Sequence, residues 1–524
     1  MSKRTTVLLI LDGMGIGAKD NSNPIYKTQP TNLGYIRKNY PAGSLQASGI
    51  AVGLPWHDPG SSDVGHMTIS SGKVLYQDYP RISLSINDGS FFKNEVLRGA
   101  IYNAKERGTK VNLVGLISKS KENSANEHLD ALIKFCKGEG VDYALHLFTD
   151  GIDADNGLSE GLLAGLPEEK IASISGRHFG MDIDLHYERT IRSYNAILGK
   201  AASGTAPKGS VEYLRSQYAS GLTDENISPI SLRPELGVSD QDSVIFFNYQ
   251  EDSLKQMAKV FIDETAGGHP DYSKGESQMK LHEIKKDLHI VTFTNYGKEF
   301  SFPIAFPQKE IGSMLGKILA DSGKVQLRLA ESLKQSHVTN YFNGFDDRPY
   351  QNEYRVIIPS HVGSDEAEHP EMRVKEISER LISAIDEGIY DFILVNIANL
   401  DVIAHTGNYE AATQAIRAVD EQLGYIVNSI LKTGSFLVIT SDHGNIENMY
   451  DPRTGRTETR HNTTPVPIYI VSKGWERAKT EEQADQIEKS NTGVISDIAP
   501  TILELMGLPI PEDMSGMSLI SMLR

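Results

Sequence analysis

The stretch VITSDHGN, residues 438–445, runs from apolar residues straight into Asp442 and His443. A carboxylate beside an imidazole is a ligand pair for a divalent ion. The same pair reads as a turn, with Asp442 capping the chain and His443 an ordinary loop residue. The pattern recurs. LLILDGMG ends an apolar run in Asp12, and FILVNIANLDVIAHTG places Asp401 and His405 just past another. Those two are one helical turn apart and so share a face if the segment is helical. TETRHNTTPVPIYIV sets His461 just before an apolar run. Each residue has a plain structural role open to it: Asp12-Gly13 as a turn, Asp401 as a helix cap, His405 on a surface. Independent turns do not require histidine at so many strand ends, and the conjunction points to one site.

WHDPGSSDVGHMTISSG, residues 56–72, begins with turn residues and continues as a helix start. Ser62 falls in its first turn, facing the orphan N–H groups and the positive end of the helix dipole. A metal-bound serine alkoxide there is a nucleophile toward phosphate. Ser61 or Ser62 as an N-cap is the commoner role, and the residues alone leave both readings open. Asp12, Ser62, Asp401, His405, Asp442, His443 and His461 are too many donors for one tetrahedral ion, so two metals are expected. Mixed carboxylate and imidazole donors suit manganese, with zinc or magnesium as alternatives, better than calcium. Two-metal sites carry out in-line displacement at phosphorus.

Such residues need a scaffold that gathers strand ends. Apolar runs at 6–12, 111–118, 143–150, 243–248, 392–399, 435–440 and 466–471 alternate with helical patterns. One pattern, GNYEAATQAIRAVDEQLGYIVNSILKTG, is a long amphipathic helix with a glycine stop. Continuous apolar strands separated by helices predict an α/β fold with largely parallel, buried sheets. Open α/β sheets form sites at the carboxyl ends of their strands. Pro-containing stretches at 74–85 and 300–312 read as connectors that bracket an inserted domain. In that reading residues 1–77 and 311–524 form one discontinuous domain and residues 78–310 a second.

The chain has 524 residues, enough for two or three domains. Its net charge of −17 argues against a nucleic-acid polymer or an anionic membrane as partner. A small anionic metabolite in a local basic pocket remains compatible. The single cysteine, Cys136, excludes an internal disulfide and reads as a buried thiol on a helix face. The first apolar run is short and ends in Asp12, a strand rather than a signal peptide, and no run reaches transmembrane length. The expectation is a cytoplasmic monomer.

Taken in order, LLILDGMGIG, SSDVGHMTISSGKVLYQDYPRI, NDGSFFKNEVL, ASISGRHFGMD, VQLRLAE, HVTNYFNG, NIANLDVIAHTGN, ITSDHGNIENM, HNTTPVPIYIV and SDIAPTILELMGLP make a specific set. Through them the chain resembles cofactor-independent phosphoglycerate mutase, of the alkaline phosphatase superfamily, over nearly its whole length. The resemblance implies an alkaline-phosphatase-like parallel-sheet domain with an inserted α/β transferase domain. It implies that Asp401, His405 and His461 hold one metal, usually manganese. Asp12, Ser62, Asp442 and His443 would hold the other, with Ser62 the serine that becomes phosphorylated. Lys334, in AESLKQSH, matches the family's lysine near the transferring phosphoryl group. Asp153 is a candidate general base for a substrate hydroxyl.

The insert departs from the family pattern. Asn123 stands where the family has a histidine, and Ile152, Ile183, Gln250 and Ser253 stand where it has arginines; Arg189 remains. Those groups hold phosphate and carboxylate by charge-assisted bonds, each contributing about 1.5–3 kcal/mol. Isoleucine offers no donor. Lys119, Lys121, His178 and His186 lie near the altered motifs, as replacement charge or as solvated surface. The expectation is phosphoryl transfer through Ser62 on a small phosphorylated or phosphonate metabolite other than plain phosphoglycerate. The rivals are a true phosphoglycerate mutase with a divergent pocket, a phosphatase, phosphodiesterase or phosphonate-pathway transferase, and a non-catalytic metal-binding protein.

Overall fold

The computed structural model describes residues 4–200, 209–263, 283–307, 311–361 and 366–524. The chain divides into one unit of Met1–Gln77 with Glu310–Arg524, and a second of Asp78–Lys309. The boundary expected at 310/311 adjoins residues 308–310, which lie outside the described residues.

Strands β1 (Thr6–Leu11) and β2 (Ala42–Gln46) open the first unit. The second unit holds β3 (Val111–Ile117), β4 (Tyr143–Thr149), β5 (Ile171–Gly176), β6 (Ile230–Ser231), β7 (Ser243–Phe246) and β8 (His289–Thr292). The chain then returns to the first unit with β9 (Gln326–Glu331), β10 (Glu353–Ile358), β11 (Phe392–Ile397), β12 (Phe436–Thr440), β13 (Val466–Val471) and β14 (Gly493–Val494).

The first unit's sheet has the order β10-β9-β11-β1-β12-β13-β2-β14. From β10 to β12 every neighbouring pair is parallel, while β13 runs antiparallel to both β12 and β2. The apolar runs are continuous because both faces are covered. Val7, Leu9 and Leu11 pack into one core layer, and Leu8 and Ile10 into the other. The helix Tyr409–Thr433 buries Ala411, Ala412, Ala415, Ile416, Val419, Leu423, Ile426, Val427 and Ile430 on one stripe and ends at Gly434, as its spacing predicts. Among the described residues no helix is long and apolar enough to cross a membrane.

The second unit's sheet has the order β6-β5-β4-β3-β7-β8, parallel except for β6. Cys136 is buried on the helix Asn126–Glu139, and burial pushes its thiol up to about 12, so it is inert. The stretch expected as a connector at 74–85 is different: from Asp78 it is a helix, Asp78–Asn87. Pro80 sits in the first turn, where its missing N–H has no helical partner to lose.

Two buried histidines give the second unit an acid-sensitive core. Burial holds His128 down to about 4 and His146 to about 3, the latter with help from Lys110. His146 hydrogen-bonds Ser173 Oγ at 2.9 Å and Asn112 Oδ1 at 3.1 Å. In the unfolded chain each ring takes up its proton near pH ~6.5. Below that pH the unfolded state binds more protons, so stability falls as pH falls, until the folded rings themselves protonate. Between about pH 7.5 and about pH 5, the latter ~1.5 units below the unfolded value, each histidine should cost on the order of 2 kcal/mol. Urea unfolding at about pH 7.5 and about pH 5 measures the loss, and a His128→Gln, His146→Gln double variant should flatten the pH dependence.

Candidate active site

The parallel strands β9, β11, β1 and β12 lie side by side, so their carboxyl ends form one edge. Lys334 follows β9, Asp401 follows β11, Asp12 follows β1, and Asp442 and His443 follow β12. His461 precedes β13, which is antiparallel to β12. The amino end of β13 therefore meets the same edge, which explains how a residue before a strand joins residues after strands. Gly13 makes the turn with φ +75, and a Cβ there would stand 2.8 Å from Asp401 Cα. The Asp12-Gly13 turn is thus also what lets the β1 and β11 ends close on each other.

Ser62 begins the helix Ser62–Ser71, with Ser61 at the N-cap position, and no serine side chain caps that helix. Ser61 thus takes the N-cap position without a side-chain capping bond, and Ser62 is the first helical residue. Ser62 Oγ lies 2.8 Å from His443 Nε2, accepts from Lys334 Nζ at 3.2 Å, and is 3.4 Å from Asp12 Oδ1. Lys334 Nζ also donates to Asp12 Oδ1 at 3.0 Å and Asp401 Oδ2 at 2.9 Å. Burial would lower the Lys334 ammonium, but the Asp12, Asp401 and Asp442 charges hold it well above the usual lysine range. Burial raises Asp12, with Asp442 adding to the effect. Burial alone would raise Asp401 as well, yet the His405 and His461 contacts and Lys334 hold it well below the carboxylate range.

The donor chemistry fits divalent cations. His405 Nδ1 meets the Thr459 carbonyl at 2.7 Å, and His461 Nδ1 meets the Gly60 carbonyl at 2.9 Å. A carbonyl only accepts, so each neutral ring carries its proton on Nδ1 and a lone pair on Nε2. Those two Nε2 atoms are 3.0 Å apart, and each is 3.2 Å from Asp401 Oδ1. With both rings neutral these are three converging acceptors, which repel one another unless a proton or a cation sits between them. The Asp401 carboxylate raises both histidines, and a divalent ion can take the place of that proton. Nearby, the buried Asp442 Oδ2 has no hydrogen-bond partner. Its neighbour His66 Nδ1, at 3.3 Å, is 2.7 Å from the Ser62 carbonyl and spends its proton there. Donor atoms of Asp12, Asp442 and His443, and of Asp401, His443 and His461, lie within 4.8 Å of one another in each group. Three buried carboxylates face one lysine, an imbalance that bound cations would offset.

In the second unit the carboxyl ends of β5, β4, β3 and β7 form a comparable edge. Asn123 Nδ2 donates to Asp153 Oδ2 at 2.7 Å, and Arg177 Nη1 donates to both Asp153 Oδ2 and Asp150 Oδ1 at 2.7 Å. Ile152 and Ile183 are 59% and 58% exposed. Arg189 pairs with Asp182 at 3.1 Å, and His186 Nδ1 lies 3.4 Å from the same carboxylate. Buried Ser253 accepts from Asn248 Nδ2 and donates to the Gln250 carbonyl, both at 3.0 Å, while the Gln250 side chain is exposed. Lys121 lies over the Tyr79 ring at 4.8 Å, His178 packs edge-on to Phe179, and Lys119 is exposed.

Several site residues were not singled out from the sequence. Asn396 Nδ2 donates to Asp12 Oδ2 at 2.7 Å, and Asn445 Nδ2 to Asp401 Oδ1 at 2.9 Å. Asn396 is a polar residue inside an apolar strand, and that anomaly was the available signal. Arg177 sits within a quoted motif but carries no spacing signature of its pairing with Asp150 and Asp153.

A model of the metalloenzyme superfamily matches residues 4–510. A 2,3-bisphosphoglycerate-independent phosphoglycerate mutase of Clostridium botulinum is 38% identical, over 99% of this chain and 100% of that protein. One of Methanosarcina acetivorans is 37% identical, over 99% of this chain and 98% of that protein. The crystal structure of Leishmania mexicana phosphoglycerate mutase at low cobalt concentration covers 99% of this chain and 98% of its own, with a TM-score of 0.53 and 24% identity, a likeness of fold. The chain belongs to the metalloenzyme superfamily and, within it, to the 2,3-bisphosphoglycerate-independent phosphoglycerate mutase family of mutase-like phosphotransferases.

Proposed function

We propose that this enzyme transfers a phosphoryl group through a phosphoserine at Ser62, on a small phosphorylated or phosphonate metabolite other than plain phosphoglycerate. The observation that carries the reading is the Ser62 hydroxyl, set at a helix start within 3.4 Å of Asp12, His443 and Lys334. Divalent ions, manganese by the donor set, held by Asp401, His405 and His461 and by Asp12, Ser62, Asp442 and His443, would supply Lewis acidity and lower the hydroxyl's pKa. Ser62 Oγ, its proton released, forms the bond to phosphorus as the bond to the leaving oxygen breaks and that oxygen takes up a proton. The acceptor oxygen then bonds the phosphorus as the Ser62 Oγ–phosphorus bond breaks, freeing Ser62. Lys334 holds positive charge against the nucleophile and the transferring oxygens. In the second unit, Asp153 is the proposed base for the acceptor hydroxyl, its carboxylate oriented by Asn123 and Arg177.

The substrate reading is supported by what the second sheet's carboxyl edge presents. Arg177 and Arg189 are each engaged by aspartates, and the positions of two family arginines are exposed isoleucines. A carboxylate or second phosphate would find no guanidinium fork at Ile152 or Ile183. An Ile152→Arg, Ile183→Arg variant should raise kcat/KM for 3-phosphoglycerate by at least about tenfold over wild type. No gain would count against this account of specificity. Initial rates of manganese-loaded protein on a panel of phosphate and phosphonate esters identify the preferred class. The relatives' names favour a second reading, interconversion of 2- and 3-phosphoglycerate by a divergent pocket; efficient isomerisation by the wild-type protein would establish it.

A further inference from the structure

Glu447 lies five residues past Asp442, is 1% exposed, and has no part in the chemistry above. Its two carboxylate oxygens draw together the loops that carry the candidate ligands. Oε2 accepts from the Gly15 N–H at 2.8 Å, on the loop following Asp12, and from the Asn445 N–H at 3.0 Å, just past His443. Oε1 accepts from Asn462 Nδ2 at 2.5 Å and from the Thr464 hydroxyl, both on the loop of His461. The backbone makes room for this group. A Cβ on Gly15 would stand 2.4 Å from Glu447 Cδ, and one on Gly444 would stand 2.6 Å from Oε1. Neighbouring bonds lock the same loops: the Met14 N–H donates to Ser441 Oγ at 2.9 Å and the Ile16 N–H to the Pro465 carbonyl at 2.7 Å.

We propose that Glu447 is a positioning residue that sets the spacing of both candidate metal-ligand groups, by holding the Asp12, Asp442–His443 and His461 loops on one buried carboxylate. The proposal rests on the two-metal reading of the site. Its physical basis is that the Gly15 and Asn445 N–H groups and Asn462 Nδ2 can only donate, while the Thr464 hydroxyl has one proton within reach of both Glu447 Oε1 and Asn462 Oδ1. A carboxylate accepts at both oxygens, whereas a glutamine of the same shape turns an NH2 toward one pair of donors. Those donors then lose their acceptor in a buried place, and the loops must separate to find others. Because Glu447 touches loops from both groups, both should loosen together.

The test is manganese titration of the metal-free full chain, followed by electron paramagnetic resonance well below the melting temperature. Glu447→Gln should remain folded by circular dichroism and bind manganese about 10–100-fold more weakly, with no bound equivalent left at wild-type affinity. Thr464→Val, which removes one donor and keeps the carboxylate, should weaken binding about fivefold. A merely architectural glutamate would lower the melting temperature and leave affinity below it untouched. Folded Glu447→Gln with native affinity overturns the proposal; should that variant not fold, native affinity in Thr464→Val overturns it instead. Wild-type protein that binds no manganese would defeat the two-metal reading itself, and the proposal with it.

Discussion

Replacing Ser62 by alanine should reduce turnover of any phosphate ester the manganese-loaded enzyme accepts by at least about 10³-fold, because the proposed mechanism runs through that one nucleophile. The reason is positional as well as chemical. The hydroxyl sits between His443 Nε2 at 2.8 Å and the Lys334 ammonium at 3.2 Å, and alanine offers neither a lone pair for phosphorus nor an oxygen donor for a cation. The protein should stay folded, since the Ser62 side chain does not cap its helix. Ser61→Ala provides the contrast. Ser61 holds the N-cap position without a side-chain capping bond, so its variant should keep activity within about twofold and lose little stability. Steady-state rates and thermal melts of the two variants side by side separate a nucleophile from a cap. Equal, small effects at both positions would return Ser62 to an ordinary helix start.

Lys334→Met should be nearly as damaging, with a different signature. The ammonium lies 3.0 Å from Asp12 Oδ1 and 2.9 Å from Asp401 Oδ2, with a side chain only 7% exposed. Removing it leaves buried carboxylates facing each other without a countercharge, which costs about 3–5 kcal/mol in comparable buried pairs. In the metal-free state the variant should therefore melt well below wild type. Bound divalent ions replace part of the missing charge, so saturating manganese should recover much of the lost melting temperature by mass action. Activity should not recover with it. The charge proposed to meet the transferring oxygens is gone, and such preorganised donors contribute about 10²–10³-fold. Arginine is a poor replacement, because a planar fork does not reproduce a compact point charge shared among Asp12, Asp401 and Ser62. Calorimetry with and without manganese, alongside kcat for both variants, checks the pattern. A variant that gains metal-free stability would contradict it.

Much of this site was written where apolar runs meet Asp and His. A buried parallel strand needs no polar residue at its end, so Asp12, Asp401 and Asp442 stood out, and neighbouring parallel strands bring such ends together. Other features depend on tertiary neighbours and leave little trace in one dimension. His461 joins the edge because β13 alone reverses against β12, a matter of strand order rather than local pattern. Ser62 looks like any N-cap serine until Lys334, 272 residues away, is found on its oxygen. Glu447 lies within ITSDHGNIENM, but three of its four donors, on Gly15, Asn462 and Thr464, come from two other loops. Asp78–Asn87 forms a helix through a proline because the residue falls in the first turn, a distinction of two or three positions that composition does not resolve. In the second unit, the replaced arginines were legible, whereas the pairing of Arg177 with Asp150 and Asp153 was not.

The central claim is that Ser62 Oγ becomes covalently phosphorylated during turnover. The direct measurement is acid quenching of manganese-loaded enzyme in the presence of its best ester substrate, followed by peptide mass spectrometry. The account predicts one added phosphoryl group on the peptide containing Ser62, appearing at the rate of the first turnover and absent from Ser62→Ala. An enzyme that turns over rapidly while that peptide stays unmodified at every quench time would contradict it.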